Sequence, residues 1–163
     1  MLNIHKGKLD NFFRWVKGTE LVILNEIDVK EDPVRPNLDL EFRTSHNRKI
    51  FGLKYEDNIE GIVCVAFTND IPTTEKELEL MSKIADIENN PTIAIAYTVW
   101  SRKRGAGREI ILKLKEHVTK NMPHIERVIT LSPLTAMATN FHMRNGAKQI
   151  LLNDSSQNFE YQK

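Results

Sequence analysis

An uncharged run, Pro91-Thr92-Ile93-Ala94-Ile95-Ala96-Tyr97-Thr98-Val99-Trp100, leads directly into Ser101-Arg102-Lys103-Arg104-Gly105-Ala106-Gly107-Arg108. A segment of helical periodicity follows, with Ile110, Ile111, Leu114 and Val118 on one face of residues 106–120. Strand, basic glycine-containing turn, helix: this order confines the chain to folds in which a strand feeds a helix N-terminus. Free backbone N–H groups there attract an anion, and the helix dipole favours it. Gly105 and Gly107 remove the Cβ that would hold a ligand away, and Arg102, Arg104 and Arg108 add mobile positive charge. The expected ligand is a phosphate or pyrophosphate group on a cofactor. The spacing excludes two common solutions. The Gly-Lys-Ser/Thr of a Walker loop is missing, and the third glycine of a dinucleotide fingerprint is replaced by Ile110. A solvated basic loop that merely begins a helix stays open as the alternative.

Composition narrows the class. The chain has 163 residues, 40% of them apolar and 28% charged, which suits one domain with one sizeable core. The whole of 1–163 is expected to be a single unit, with 1–30 its N-terminal helical part. A net charge of +1 gives no reason to expect nucleic acid. The single cysteine, Cys64, lies in the apolar run Ile62–Phe67 and reads as a buried strand residue. It excludes a disulfide framework within one chain, and no cluster of Cys and His has metal-ligand spacing, so no metal is expected. Apolar runs fall far short of about 18 residues, so no membrane association is expected and a reducing cytosol is the default.

Other segments read in order. Residues 8–17 form an amphipathic helix through Leu9, Phe12, Phe13 and Val16, ended by Gly18. Residues 21–27 suit a strand or a short helix, and Leu38 to Phe42 alternates like a strand. Ile50–Tyr55 and Ile59–Phe67 read as a hairpin about Glu56-Asp57-Asn58. Thr73 to Ile87 is a polar helix with Thr74 as its cap. Arg127–Leu131 is a buried strand ending at Ser132-Pro133. Leu134 to Arg144 is a helix stopped by Asn145-Gly146, and two strands, 147–152 and 157–161, finish the chain. The layout is α/β, or α+β: a mixed, mostly antiparallel sheet flanked by helices.

Arg102-x-x-Gly105-x-Gly107 resembles the acyl-CoA pyrophosphate loop of the acyl-CoA N-acyltransferase (GNAT) superfamily, and the element order resembles that fold. The resemblance implies that residues 92–161 bind a coenzyme A thioester. Tyr97 and Val99 on the strand, Arg102, Arg104, Gly105, Ala106, Gly107 and Arg108 in the turn, and Asn140 on the next helix would contact it. By their place on the central strand, Tyr97 and Trp100 suit packing better than substrate contact. GNAT enzymes often use a strand carboxylate as base, and residues 92–100 contain none.

A nearer resemblance lies in Leu131-Ser132-Pro133 and in Asn140-Phe141-His142-Met143-Arg144-Asn145-Gly146-Ala147. These are similar to the Leu-Ser-Pro-Ile-Pro and Phe-His-x-x-Asn-Gly-Ala motifs of malonyl-CoA decarboxylases. Asp32-Pro33-Val34-Arg35, Val65 to Ile71 and Ala94 to Tyr97 are also similar, so the likeness runs from about residue 32 to 161. It departs in that family members carry a long helical stretch between the two motifs, whereas here His142 follows Ser132 by ten positions. The implied chemistry is conversion of malonyl-CoA to acetyl-CoA and carbon dioxide, with Ser132 bonding the malonyl group and His142 delivering a proton. Acyl transfer from acetyl-CoA to an amine, or CoA binding without catalysis, remain alternatives, and a homodimer stays open. Other readings also stand: Ser132 as cap of the helix near Leu134, His142 as a partly exposed helix residue, and Glu60, Asp70 and residues 75–79 as surface charge.

Overall fold

A computed structural model describes residues 18–162; the expected helix at 8–17 lies outside them. The element order is β1 (Glu20–Leu24), a 3-10 turn (Val29–Glu31), α1 (Leu40–Thr44), β2 (Lys49–Tyr55), β3 (Asn58–Thr68), α2 (Glu75–Glu88), β4 (Ile93–Ser101), α3 (Ala106–Asn121), β5 (Arg127–Thr130), β6 (Ser132–Pro133), α4 (Ala136–Arg144), β7 (Lys148–Leu152) and β8 (Ser156–Tyr161). The eight strands form one sheet, β1-β2-β3-β4-β5-β8-β6, with β7 also paired to β8. Only β4 and β5 run parallel; the other pairs are antiparallel.

Strand alternation sorts the core into two layers. Val63, Val65 and Phe67 of β3 face α3, where Ile110, Ile111, Leu114 and Val118 are fully buried against them. Ile62, Cys64 and Ala66 face the other way, toward Leu78 of α2. A bulge in β4 disturbs this order usefully. Cys64 pairs Thr98 and Val65 pairs Ala96, which leaves Tyr97 as the extra residue. Ala94, Ala96 and Val99 therefore belong to the α3 face, while Ile95, Tyr97 and Trp100 belong to the α2 face.

Residues 38–42 overturn the strand expectation. The Asp39 side chain accepts from Phe42 N at 2.8 Å and starts the short helix α1, which presents Arg43 inward. Arg43 is wholly buried, and its guanidinium meets Asp32 Oδ2 at 2.8 Å, the Arg35 and Leu38 carbonyls, and Cys64 Sγ at 3.5 Å. A buried charge demands this many partners, and that demand outweighs five residues of alternation. Helix α4 begins at Ala136 rather than Leu134, because Thr135 is its cap, accepting from Ala138 N at 3.1 Å. Ser132 is thus not a helix cap; it lies in β6, paired with Gln157 of β8. Residues 21–24 resolve as part of strand β1. Glu60, expected at the surface, is buried beside Lys103, with Oε2 3.5 Å from its Nζ.

Candidate functional site

Strands β4 and β5 pair only from Ile93 to Ala96; the last link is Leu131 N to Ala96 O at 3.1 Å. Beyond it the β5 side turns away to join β8 through Ser132 and Pro133, while β4 runs on to Ser101. The sheet forks there. The extended end of β4 enters the basic turn, and Gly105 adopts φ 86°, a left-handed conformation that side chains resist. Helix α3 starts directly after it. Helices α1, α2 and α4 each begin with an Asp or Thr side chain bonded to their first turn; α3 has no side-chain cap. Ala106 N donates to the Lys103 carbonyl at 3.0 Å, and the N–H groups of Gly107 and Arg108 are left to other acceptors. A Cβ at Gly107 would lie 3.3 Å from Phe141 Cε2, so this glycine permits α4 to close on the first turn of α3.

The basic residues divide. Arg102, expected as mobile charge, is tied to Glu31 by two bonds of 2.5 and 2.9 Å, and Glu31 also accepts from Trp100 Nε1. This pairing holds the Glu31 carboxyl below the usual carboxylate range. Lys103 faces Glu60. Arg104 and Arg108 are exposed and form no ion pair with another described residue. Ala106 and Gly107 are buried at the helix start, Val99 lies on the α3 face, and Asn140 is exposed on α4. Tyr97 projects to the opposite face, with its ring edge-on to Phe42 at 5.9 Å. Burial pushes its phenol well above the usual value. The nine expected contact residues therefore do not all line one cleft.

Ser132 and His142 do share a face. Ser132 Oγ lies 2.8 Å from Thr130 Oγ1, which in turn accepts from Phe159 N at 3.1 Å. The His142 ring stacks on Phe159 with centroids 5.1 Å apart, and its Nδ1 lies 2.7 Å from the Tyr161 hydroxyl. Phe159 and Tyr161 belong to the α3-facing layer. His142 is 4% exposed, so the partly exposed reading fails. Burial among aromatic rings pushes its pKa down to about 4 and raises the Tyr161 phenol. The imidazole is thus neutral at pH 7, and in the tautomer whose Nδ1 accepts from the Tyr161 hydroxyl the ring proton sits on Nε2. No hydrogen bond joins Ser132 to His142; the two polar pairs stand apart around Phe159.

Two residues of this region escape a reading of the sequence. Tyr161 comes to His142 only because β8 pairs with β5 at Val128, and no local pattern announces that. Asn145, legible only as a helix stop, is buried with neither atom of its side-chain amide hydrogen-bonded among the described residues. Buried amides are rarely left so, except where a ligand or water completes them. Among the described residues, no group of three or more His, Cys, Asp or Glu side chains is placed to hold a metal. No helix of the described residues is long and apolar enough to cross a membrane.

Neither a protein-family model nor a curated protein matches the chain. Solved structures do. A malonyl-CoA decarboxylase from Agrobacterium vitis is 20% identical, with a TM-score of 0.61, over 83% of this chain and 40% of that one. The chain therefore spans well under half of that decarboxylase. The GNAT-like decarboxylase GphF, in complex with isobutyryl-CoA, is 11% identical with a TM-score of 0.67, over 88% of this chain and 98% of that one. A Bacillus subtilis acetyltransferase in complex with CoA is 10% identical with a TM-score of 0.56, over 90% and 99%. At these identities the likeness shows the architecture: the chain has the acyl-CoA N-acyltransferase (GNAT) fold.

Proposed function

We propose that this protein binds a coenzyme A thioester at the fork and decarboxylates its malonyl form. The uncapped start of α3, with Arg104 and Arg108 beside it, suits the pyrophosphate. The observation that carries the reading is the pair of polar couples, Ser132–Thr130 and His142–Tyr161, on one sheet face at the fork. Structural likeness to two decarboxylases and a CoA-bound acetyltransferase supports it.

Decarboxylation breaks the bond between the malonyl carboxylate and the methylene carbon. Carbon dioxide leaves, and the electron pair passes into the thioester as an enolate. The Ser132 hydroxyl donates to the enolate oxygen. His142 Nε2–H then protonates the carbon, while the Tyr161 hydroxyl passes its proton to Nδ1; solvent reprotonates Tyr161. The imidazole stays neutral through this relay, giving one proton and receiving another, and the negative charge of the enolate passes to the Tyr161 oxygen until solvent supplies its proton. No base for an amine is needed, in keeping with a β4 that lacks carboxylates.

Transfer of the acyl group to an amine is the second reading. One observation favours it: a separate cavity opens on the opposite face of the fork, where a second ligand has room.

Incubation with malonyl-CoA alone, followed by mass spectrometry, tests the first reading. Acetyl-CoA from the parent, with Tyr161→Phe slowed and His142→Ala inactive, is the expected result. Thioester that stays intact, with CoA released only once an amine is added, would transfer the assignment to the second.

A further inference from the structure

On the sheet face away from His142, the fork opens into a cavity of about 340 Å³. Leu131 and Pro133, the residues either side of Ser132, form one wall, the start of α2 forms another, and Ser155 lies at the rim. At its floor lies Arg35, 9% exposed. Its Nε donates to the Tyr97 carbonyl at 2.7 Å and Nη2 to the Leu131 carbonyl at 2.9 Å, so it bridges the two arms of the fork. Nη1 donates to Glu75 Oε1 at 2.8 Å. These bonds use one N–H on each nitrogen. Each terminal nitrogen of a guanidinium carries a second, so two N–H groups have no acceptor among the described residues.

The arginine is also firmly held. Asp32 Oδ1 accepts from Arg35 N, Val34 N and the Thr98 hydroxyl, and Asp32 Oδ2 pairs with Arg43. Asp32 is thereby committed to Arg43, and the charge left to balance Arg35 is Glu75. Glu75 is one-third exposed and shared with Asn37 Nδ2 at 2.9 Å. A fixed guanidinium with spare donors, facing a cavity and matched by a displaceable carboxylate, is built to exchange that carboxylate for another.

We infer that this cavity is a second binding site, for a small carboxylic acid held on Arg35. Its carboxylate is one that is retained: an ion pair stabilises a carboxylate and would oppose its loss as carbon dioxide. A free acid is therefore the occupant assigned, distinct from the carboxylate that the proposed decarboxylation removes. The one other source of the same chemistry is the distal carboxylate of a malonyl thioester reaching through the fork.

Titration of the isotope-labelled protein with free malonate, read by NMR, tests the inference. Amides of residues 73–75 and 155–156 and the Arg35 Nε–H should shift saturably. Glu75→Gln removes the competing carboxylate and should tighten binding roughly tenfold, the scale of one charge-assisted hydrogen bond. Ser155→Trp should block the rim while the protein stays folded. Arg35→Met should abolish binding, and the rim and wall variants, which leave the Arg35 scaffold intact, decide the assignment. Parallel titrations with malonyl-CoA and acetyl-CoA separate the sources. Shifts at 73–75 with malonyl-CoA alone, and none with free malonate, would overturn the free-acid assignment. No shift with either, and no effect of Glu75→Gln, would overturn the site altogether. These outcomes are independent of the proposed function: acetyl-CoA binding at α3 without malonate binding sinks only the cavity, and the converse sinks only the thioester site.

Discussion

Around the fork, the α3 face of the sheet offers two hydroxyls, one imidazole and one phenol, set among aromatic rings. The other face, under α1 and α2, offers Asp32, Arg35, Arg43, Arg48 and Glu75, nearly all bonded to one another or to carbonyls. On the first face burial acts on lone titratable groups and shifts them, leaving a neutral imidazole. On the second, charge is paired and serves as scaffolding: Arg43 ties α1 to β3, and Arg35 ties both arms of the fork. The contrast teaches that one sheet can keep neutral polar groups and structural charges within a strand's thickness of each other. The alternation of side chains and the Tyr97 bulge separate them.

Breaking the scaffold should cost most. Asp32→Ala leaves Arg43 charged and buried without its carboxylate, and removes the acceptor of Thr98 and of two backbone N–H groups. A loss of about 3–5 kcal/mol in urea unfolding is expected. A loss under about 1 kcal/mol would mean that this face is no more dependent on charge than the other.

Acid should act through the α3 face. Burial holds the folded pKa of His142 at about 4, below the ordinary imidazole value of 6.5, so the unfolded chain binds more protons between those values. Stability is full above about 6.5 and falls as pH drops toward 4, by about 3 kcal/mol in all. Thermal melts across this window should show the loss, and His142→Gln should flatten it. A profile that is unchanged in the variant would assign the acid sensitivity to the carboxylates of the other face.

Gly107→Ala probes the close approach of α4 to α3. The added methyl gains helix propensity but meets Phe141 at 3.3 Å. A net change within about 1 kcal/mol is expected, with the Phe141 ring displaced in a structure of the variant. The smallest effect belongs to a partly exposed pair that links β5 to β8. Arg127 and Glu160, joined by two 2.8 Å bonds, should contribute about 0.5 kcal/mol, lost in high salt. Urea melts of Arg127→Ala at two ionic strengths measure it.

The locally specified elements were the more legible. Helix α3 has the buried face that its periodicity predicts, α2 has its Thr74 cap at 3.0 Å, and the hairpin turns at Glu56-Asp57 as the strand pattern requires. These are local signals, each contained within a few turns or one strand pair. Residues 38–42 misled because alternation over five positions is weak beside one buried arginine. Ser132 does not cap α4 because Thr135, three residues on, makes the cap. Arg102 could not be separated from Arg104 by the sequence, since Glu31, its partner, lies 71 residues away.

What the sequence determined by itself is the strand–turn–helix unit of residues 93–121 and the core positions on either side of it. Periodicity, glycine placement and capping are short-range, and they act before any tertiary contact forms. The tertiary structure decided the rest: which face each side chain meets, that Tyr161 bonds His142, that Arg35 bridges the fork, and that His142 is neutral. Those depend on strand register across the sheet and on burial, which are properties of the packed chain and not of any segment of it.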